Sequence, residues 1–422
     1  MGMNAVGKRN SIEKTKYIKK RYIEYLKSSF QFGNGNLQKL FENEIENEDL
    51  LKGPYVDLIL PFQRGKSLEK LISEGVVCKS FSKLNDINCK RPLYSHQEEA
   101  IRKIGAGRSA IITTGTGSGK TECFLYPILN ELLSDLEKGN RQVGIRAIFL
   151  YPMNALVNDQ IDRVRKILSN FPDITYGFFT GETKETVPAN YRYSYGAEND
   201  TFIPDNELVS REEIRNCPPH LLFTNYSMLE YLLIRPSDYS IFEPKRLTNW
   251  KYVVLDEAHS YYGSLGIELS LLMRRLTGLV AKKPRFILTS ATLGQQGKSE
   301  SEIVDFAKNL TSADFNQNDI IFSKRIPLQR INIAYSITGD DYIKLREEIK
   351  GNNSISEICK KYIPDTTGNV NEDLYNLLVG DENVYKIYNI LKDKSRKSKI
   401  PIFCNGECKR YALRKRPGYR GL

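Results

Sequence analysis

No run of about 20 apolar residues occurs in this chain, so nothing in it reads as a membrane-spanning helix. No secretory signal is recognisable either. The seven cysteines are scattered and read as small core residues rather than a disulfide framework. These absences point to a reducing, cytoplasmic setting with no membrane partner. Cys404 and Cys408 have a permissible spacing for half a zinc site, but no second Cys or His pair lies near them, so zinc is not expected.

Basic residues, by contrast, are plentiful and unevenly placed. The formal charge is +11. Between Lys392 and Arg420 stand eleven basic residues against Asp393 and Glu407, a net of +9. The stretch Lys8–Lys27 is basic as well, and the middle of the chain is close to neutral. Two basic ends suggest a polyanion partner. A length of 422 residues allows two to three domains with real cores.

The most informative stretch is Thr113-Thr114-Gly115-Thr116-Gly117-Ser118-Gly119-Lys120-Thr121. Ala110–Ile112 before it is short and apolar, as in a buried strand. After it, Phe124, Leu125, Ile128, Leu129, Leu132 and Leu133 recur at helical spacing. Glycines between a strand and a helix are the setting of a phosphate-binding loop. Glycine allows the tight turn, and the helix start supplies unpaired N–H groups and a positive end. Lys120 is expected to reach the β- and γ-phosphates of ATP, and the Thr121 hydroxyl to hold Mg²⁺. The strict pattern places Gly where Thr114 stands, a position that mainly shapes the loop.

Upstream, Tyr94-Ser95-His96-Gln97 opens a helix that ends at Gly105. A glutamine amide offers a donor beside an acceptor, matching the adenine edge. Gln97 lies 23 residues before Lys120, room for one helix and one strand. We expect Gln97 to read adenine, with Tyr94 or Phe62 against the ring.

Downstream, Tyr252–Leu255 reads as a central strand with Asp256 and Glu257 at its carboxyl end, followed by His259. Adjacent acids repel one another unless a cation lies nearby. Asp256 is expected to hold Mg²⁺ and Glu257 to polarise the attacking water. His259 is expected to bond toward the γ-phosphate or the next switch loop. Arg285–Thr289 is a further strand, and the hydroxyls of Ser290 and Thr292 after it are expected to bond His259 or Glu257 and report loss of the γ-phosphate.

Other loops at the same sheet edge offer polar groups to a sugar-phosphate chain. These are Pro152, Asn154, Asn158 and Gln160 after strand Ile145–Leu150, then Thr180 and Gly181 after strand Ile174–Phe179, then Thr224 and Asn225 after strand Leu221–Phe223. Asn154 is expected to cap its helix. Residues 184–216 are tyrosine-rich without a clear period, too long for an ordinary connection of about 2–6 residues, and read as an insertion.

This ordered set resembles the first RecA-like lobe of a superfamily 2 helicase of the DEAH-box-like kind, over roughly residues 90–325. Tyr94–Gln97, Thr114–Glu122 and Leu150–Leu156 resemble more narrowly the bacterial helicases with a C-terminal DUF1998 region, including MrfA-like repair helicases and DrmA-like helicases of anti-phage defence. The resemblance implies a P-loop NTPase of α/β class with a mostly parallel sheet. It implies ATP and Mg²⁺ as cofactors and single-stranded or duplex DNA as partner. The expected division is a helical accessory region at 1–90, the ATP-binding lobe at 91–330, a helical segment at 331–391 and a basic tail at 392–422. The Pro61–Gly65 segment is expected to be irregular.

Such an engine needs a second RecA-like lobe, about 150 residues in size, whose arginines reach the γ-phosphate. Such a finger contributes about 10³–10⁵ in rate. Residues 337–422 are too few and too helical to supply it, so this chain is expected to bind ATP but to turn it over poorly until completed by further sequence or by another subunit. Two alternatives remain: a translocating subunit of a restriction complex, whose nuclease or methyltransferase motifs are not seen here, and a nucleotide-gated binding module without turnover.

Overall fold

The computed structural model describes residues 11–47, 60–115, 117–141, 143–199, 202–243, 250–280, 282–293, 299–328, 335–350, 356–363, 367 and 369–392. The chain forms two compact units, Pro61–Ile326 and a second made of Met1–Leu60 with Pro327–Leu422. Thr116, Gly294 and the basic tail after Lys392 lie outside the described residues.

The chain begins with α1 (Ser11–Ser29) and α2 (Gly35–Asn47). Phe41 of α2 receives the rings of Phe30 and Phe32 edge-on, at 6.0 and 5.1 Å. Lys27 pairs with Glu46 at 2.6 Å. Tyr17, Tyr22 and Phe30 all remain exposed.

The Pro61–Ile326 unit opens with β1 (Arg64–Ser67), antiparallel to β2 (Pro92–Tyr94). The segment expected to be irregular is therefore largely paired. Gln63 N–H donates to the Lys324 carbonyl and its carbonyl accepts from Ser95 N–H, both at 2.8 Å. A four-residue polar strand has no apolar alternation to reveal it. The Ser67 hydroxyl caps α3 (Leu68–Ser73) by accepting from Lys70 N–H, and Leu68 and Leu71 are buried. Then α4 (Ser95–Gly105) leads into β3 (Ala110–Thr113) and α5 (Lys120–Glu137).

Next come β4 (Ala147–Tyr151), α6 (Asn154–Leu168), β5 (Tyr176–Phe179), α7 (Tyr191–Asn199), β6 (Glu207–Leu208) and α8 (Arg211–Asn216). The unit continues with β7 (Leu221–Asn225), α9 (Tyr226–Ile234), β8 (Tyr252–Leu255), α10 (Gly263–Gly278), β9 (Arg285–Ser290), α11 (Glu300–Thr311) and β10 (Ile320–Phe322).

Among the described residues, β3 to β10 form one parallel sheet in the order β10-β3-β9-β8-β4-β7-β5-β6. Strand residues alternate between two cores. Ile112, Phe149, Val254 and Ile287 face one, with Phe124 and Leu129 of α5. Ile111, Ile148, Val253 and Leu288 face the other, with Leu272 and Met273 of α10. Both faces being covered explains why these strands read as unbroken apolar runs. The register aligns Thr113 with Ser290, Leu255 with Leu288 and Leu150, and Tyr151 with Asn225, so the motif loops leave one edge of the sheet at one level.

The insertion after β5 is ordered over most of its length, contrary to its lack of period. Arg165 of α6 forks onto Glu207 of β6 at 2.8 Å through both Nε and Nη2, and the Tyr176 hydroxyl donates to the same carboxylate at 2.9 Å. The Asn206 amide nitrogen donates to the carbonyls of Leu168, Phe171 and Ile174. Polar anchors of this kind leave no periodic trace in sequence.

After this unit, α12 (Gly339–Lys350), α13 (Ser356–Tyr362), α14 (Val370–Gly380) and α15 (Glu382–Lys392) follow. Ile337, Leu345, Ile358, Cys359 and Leu377 form their small core. No described helix is long and apolar enough to cross a membrane.

Phe223 of β7 is buried and stacks on Phe149 at 4.4 Å and Phe178 at 4.7 Å. Phe223→Ala is expected to destabilise the sheet unit by about 3–5 kcal/mol, read as a lower midpoint of denaturant unfolding with an unchanged slope.

Candidate active site

The glycine-rich loop joins β3, the second strand from one end of the sheet, to α5. Gly117 and Gly119 have φ of +71° and +72°, and Gly119 is the N-cap of α5. The left-handed φ of Gly119 favours glycine, and a Cβ there would also crowd the ends of the Gln97 and Glu122 side chains. Thr114, standing where the strict pattern has Gly, is buried and ties the loop down. Its hydroxyl accepts from the Ser118 hydroxyl at 2.7 Å, and its N–H donates to the Ser290 carbonyl at 3.1 Å.

From the other side, α4 holds the same loop. His96 is fully buried, and its Nε2 donates to the Ser118 carbonyl at 2.8 Å. Burial lowers the pKa of His96, which keeps the ring neutral. Gln97 accepts from Tyr94 N–H at 2.9 Å and donates to the Gly119 carbonyl at 3.2 Å. One N–H and one lone pair of its amide remain for a ligand. Tyr94, Gln97, Gly117, Gly119, Glu122 and Arg163 line a cleft of about 350 Å³. Phe62 lies 5.2 Å from Tyr94 and 5.4 Å from His96, with the Arg325 guanidinium 4.0 Å from its ring centre. The role of His96 was missed in the sequence, where a lone histidine on a helix carries no signal.

On β8, two strands away, Asp256 and Glu257 turn the chain. Glu257 has φ +47°, a left-handed conformation uncommon for a side chain of its size. Lys120 Nζ donates to Glu257 Oε1 at 2.5 Å, and Glu257 Oε2 is buried without a hydrogen bond among the described residues. His259 Nδ1 stands 3.2 Å from that same oxygen. Asp256 is held above the usual carboxylate range, first by burial, with the Thr289 hydroxyl opposing the rise and the Glu257 charge adding to it.

The residue that organises these acids is one the sequence did not single out. The Thr289 hydroxyl donates to Asp256 Oδ1 and accepts from Glu257 N–H at 3.1 Å. Ser290, expected to bond His259 or Glu257, instead uses its hydroxyl to accept from Thr292 and Leu293 N–H groups at 3.2 Å, shaping its own turn. The signal that identifies Thr289 is register: as the penultimate residue of β9 it lies level with the end of β8, a fact available only once strand order is known.

Further along the edge, Asn154, Asn158 and Asn225 gather around Glu182. Asn154 Nδ2 and Asn158 Nδ2 stand 3.4 and 3.5 Å from the Glu182 carboxylate, and Asn225 Nδ2 donates to Asn154 Oδ1 at 2.7 Å. Asn154 is therefore the first residue of α6 rather than its cap; Met153 occupies that position without a side-chain bond. Asn225 caps α9 by accepting from Met228 N–H at 2.7 Å. Thr180 and Thr224 are buried. The Thr224 hydroxyl donates to the Phe179 carbonyl at 2.6 Å, and the Thr180 hydroxyl accepts from Glu182 N–H. These two hydroxyls shape the loops, whereas Asn158 and Gly181 are exposed and Pro152, Gln160 and Asn225 half-buried.

Residues 94–299, which hold every one of these loops, match the DEAD/DEAH box helicase family. This region is DEAD/DEAH-box-like, of superfamily 2. Among curated relatives, the chain is 30% identical over 358 residues to Druantia protein DruE of Escherichia coli, a match covering 63% of this chain and 19% of that protein. It is 29% identical to the ATP-dependent helicase YprA of Bacillus subtilis, over 48% of this chain and 23% of that protein. It is 31% identical to the ATP-dependent helicase hrq1 of Schizosaccharomyces pombe, over 47% and 16% respectively. The matched region thus amounts to less than a quarter of each relative. A crystal structure of the DUF1998 helicase MrfA bound to DNA is similar at 24% identity and a TM-score of 0.46, over 68% of this chain and 32% of that one. That likeness is too loose to carry a residue assignment.

The raised pKa of Asp256 has a consequence for stability. A carboxyl whose folded pKa exceeds its unfolded value costs stability as pH rises through the folded value. Asp256→Asn in the chain without nucleotide is therefore expected to be more stable than the parent near neutral pH, with the gap closing as pH falls below the ordinary aspartate range. Urea unfolding across a pH series checks this.

Proposed function

We propose that this chain is the ATP-binding lobe of an ATP-dependent DNA helicase or translocase, and that it hydrolyses ATP once a second RecA-like lobe completes the site. The observation that carries the reading is the meeting, 2.5 Å apart, of Lys120 at the start of α5 and Glu257 just after β8, whose N–H donates to the Thr289 hydroxyl of β9. In this reading the loop Thr114–Thr121 cradles the triphosphate, with Lys120 leaving Glu257 to bind the β- and γ-phosphates. Tyr94 and the free half of the Gln97 amide hold adenine in the neighbouring cleft.

The donor set fits Mg²⁺: hard oxygens from Thr121 and Asp256, the latter steadied by Thr289, beside the unbonded Oε2 of Glu257. Thr121 and Asp256 would hold the ion, which supplies charge neutralisation to the phosphates. Glu257, freed from Lys120, takes the proton of the attacking water on its carboxylate. His259, 3.2 Å from Glu257, fixes that carboxylate's orientation. Ser290 and Thr292 set the turn beside it, so strain there passes to the loops above.

DNA in this reading lies along Pro152, Asn154, Asn158, Gln160, Gly181 and Asn225, contacted through its backbone without regard to sequence, while the buried Thr180 and Thr224 shape the loops beneath it. The DUF1998-like stretches noted above support work in bacterial DNA repair or anti-phage defence.

The test is steady-state ATP hydrolysis and nucleotide binding by the 422-residue chain, with and without single-stranded DNA. Lys120→Ala is expected to weaken ATP binding by more than about tenfold. Glu257→Gln is expected to keep binding and abolish any turnover. Hydrolysis that persists in both variants overturns the site. Binding without turnover in the parent chain, restored by a supplied second lobe, is the expected outcome; binding that no lobe or DNA converts to turnover favours a nucleotide-gated module.

A further inference from the structure

A second cleft, of about 370 Å³, lies between α6 and the insertion that follows β5. It opens beside Asn158, Thr180 and Glu182, so it continues the sheet edge assigned above to DNA, on which reading this inference rests. We infer that the cleft takes one unstacked base of the bound single strand.

Three features point to a base as occupant. The first is an aromatic platform. Tyr191 and Tyr195 stand one turn apart on α7 with ring centres 5.7 Å apart, and Lys184 Nζ lies 4.7 Å from the centre of the Tyr191 ring. Bases of any identity stack on such surfaces. The second is charge. Glu182 and Asp162, the latter paired through Oδ1 with Arg165 at 2.8 Å, sit among the lining residues, and a carboxylate oxygen repels a phosphate but accepts from exocyclic amines on a base. The deeper Glu207 is already neutralised by Arg165 and Tyr176. The third is that the cleft is built rather than fluctuating. Asn206 and Arg165 fasten its inner wall, and Arg192 Nη2 donates to the Glu207 carbonyl at 2.7 Å. Its volume falls within the range of about 300–1,000 Å³ found for small-ligand sites.

Drawing a base aside at this point would fix the register of the strand on the lobe. It would also favour adenine, cytosine and guanine, which carry exocyclic amines, over thymine.

The experiment is a fluorescence titration of the full chain with a short single-stranded oligonucleotide carrying a fluorescent adenine analogue, beside an abasic strand of equal length. Binding is expected to quench the analogue. Replacing both rings, Tyr191→Leu with Tyr195→Leu, is expected to lower affinity for the base-bearing strand about tenfold and to remove most of the quench. Affinity for the abasic strand stays unchanged, which reports an intact fold and edge. Tyr191→Phe with Tyr195→Phe keeps the rings and is expected to behave as the parent. If the leucine pair binds and quenches as the parent does, the cleft is not a base site and the edge reading survives. If neither strand binds the parent chain, the DNA reading itself fails and this inference falls with it.

Discussion

All eight strands of the large sheet run the same way, and parallel strands cannot be joined by tight turns. From that constraint much else follows. Each connection must cross back over a face, so helices cover both faces and the central strands are apolar on both sides. Each strand also ends at the same edge, so the loops that carry polar chemistry are delivered to one line. Because β8 and β9 insert between β3 and β4, the glycine loop lies near the acidic turn and the Ser290 turn although more than a hundred residues separate it from either in the chain.

The chemistry at that line is a balance of charge and solvent exclusion. Asp256 is pushed toward its protonated form by burial, and the Glu257 charge pushes the same way. Lys120 and the Thr289 hydroxyl push back. Glu257 sits in a left-handed backbone conformation that a side chain of its kind seldom adopts. Strain and buried charge in one turn are tolerated where the surrounding sheet fixes the geometry, and such places concentrate at sites that bind.

The two strongest stretches of the site were legible in the sequence because their signals are local. A strand, a run of glycines and an amphipathic helix can be read from Ala110 to Leu133, and an apolar run closed by two acids from Tyr252 to Glu257. What stayed hidden depends on partners distant in the chain. Thr289 matters because of which strand lies beside β9, and His96 because Ser118 folds back onto it. β1 was invisible because four polar residues paired with a proline-led strand carry no period. The insertion looked structureless because ion pairs and amide bonds, rather than a hydrophobic stripe, hold it in place.

That last feature limits how the chain can change length. Surface connections usually tolerate gain and loss of residues because little depends on them. The segment after β5 is different, because Asn206 satisfies three backbone carbonyls of the α6–β5 connection and Glu207 balances a guanidinium that is itself buried. Shortening it would leave the buried Arg165 with only the exposed Asp162 as its ion partner and expose those carbonyls to an empty wall. What began as an excursion from the sheet has become part of its inner lining, so related chains are free to differ in length before Asn206 far more than at it.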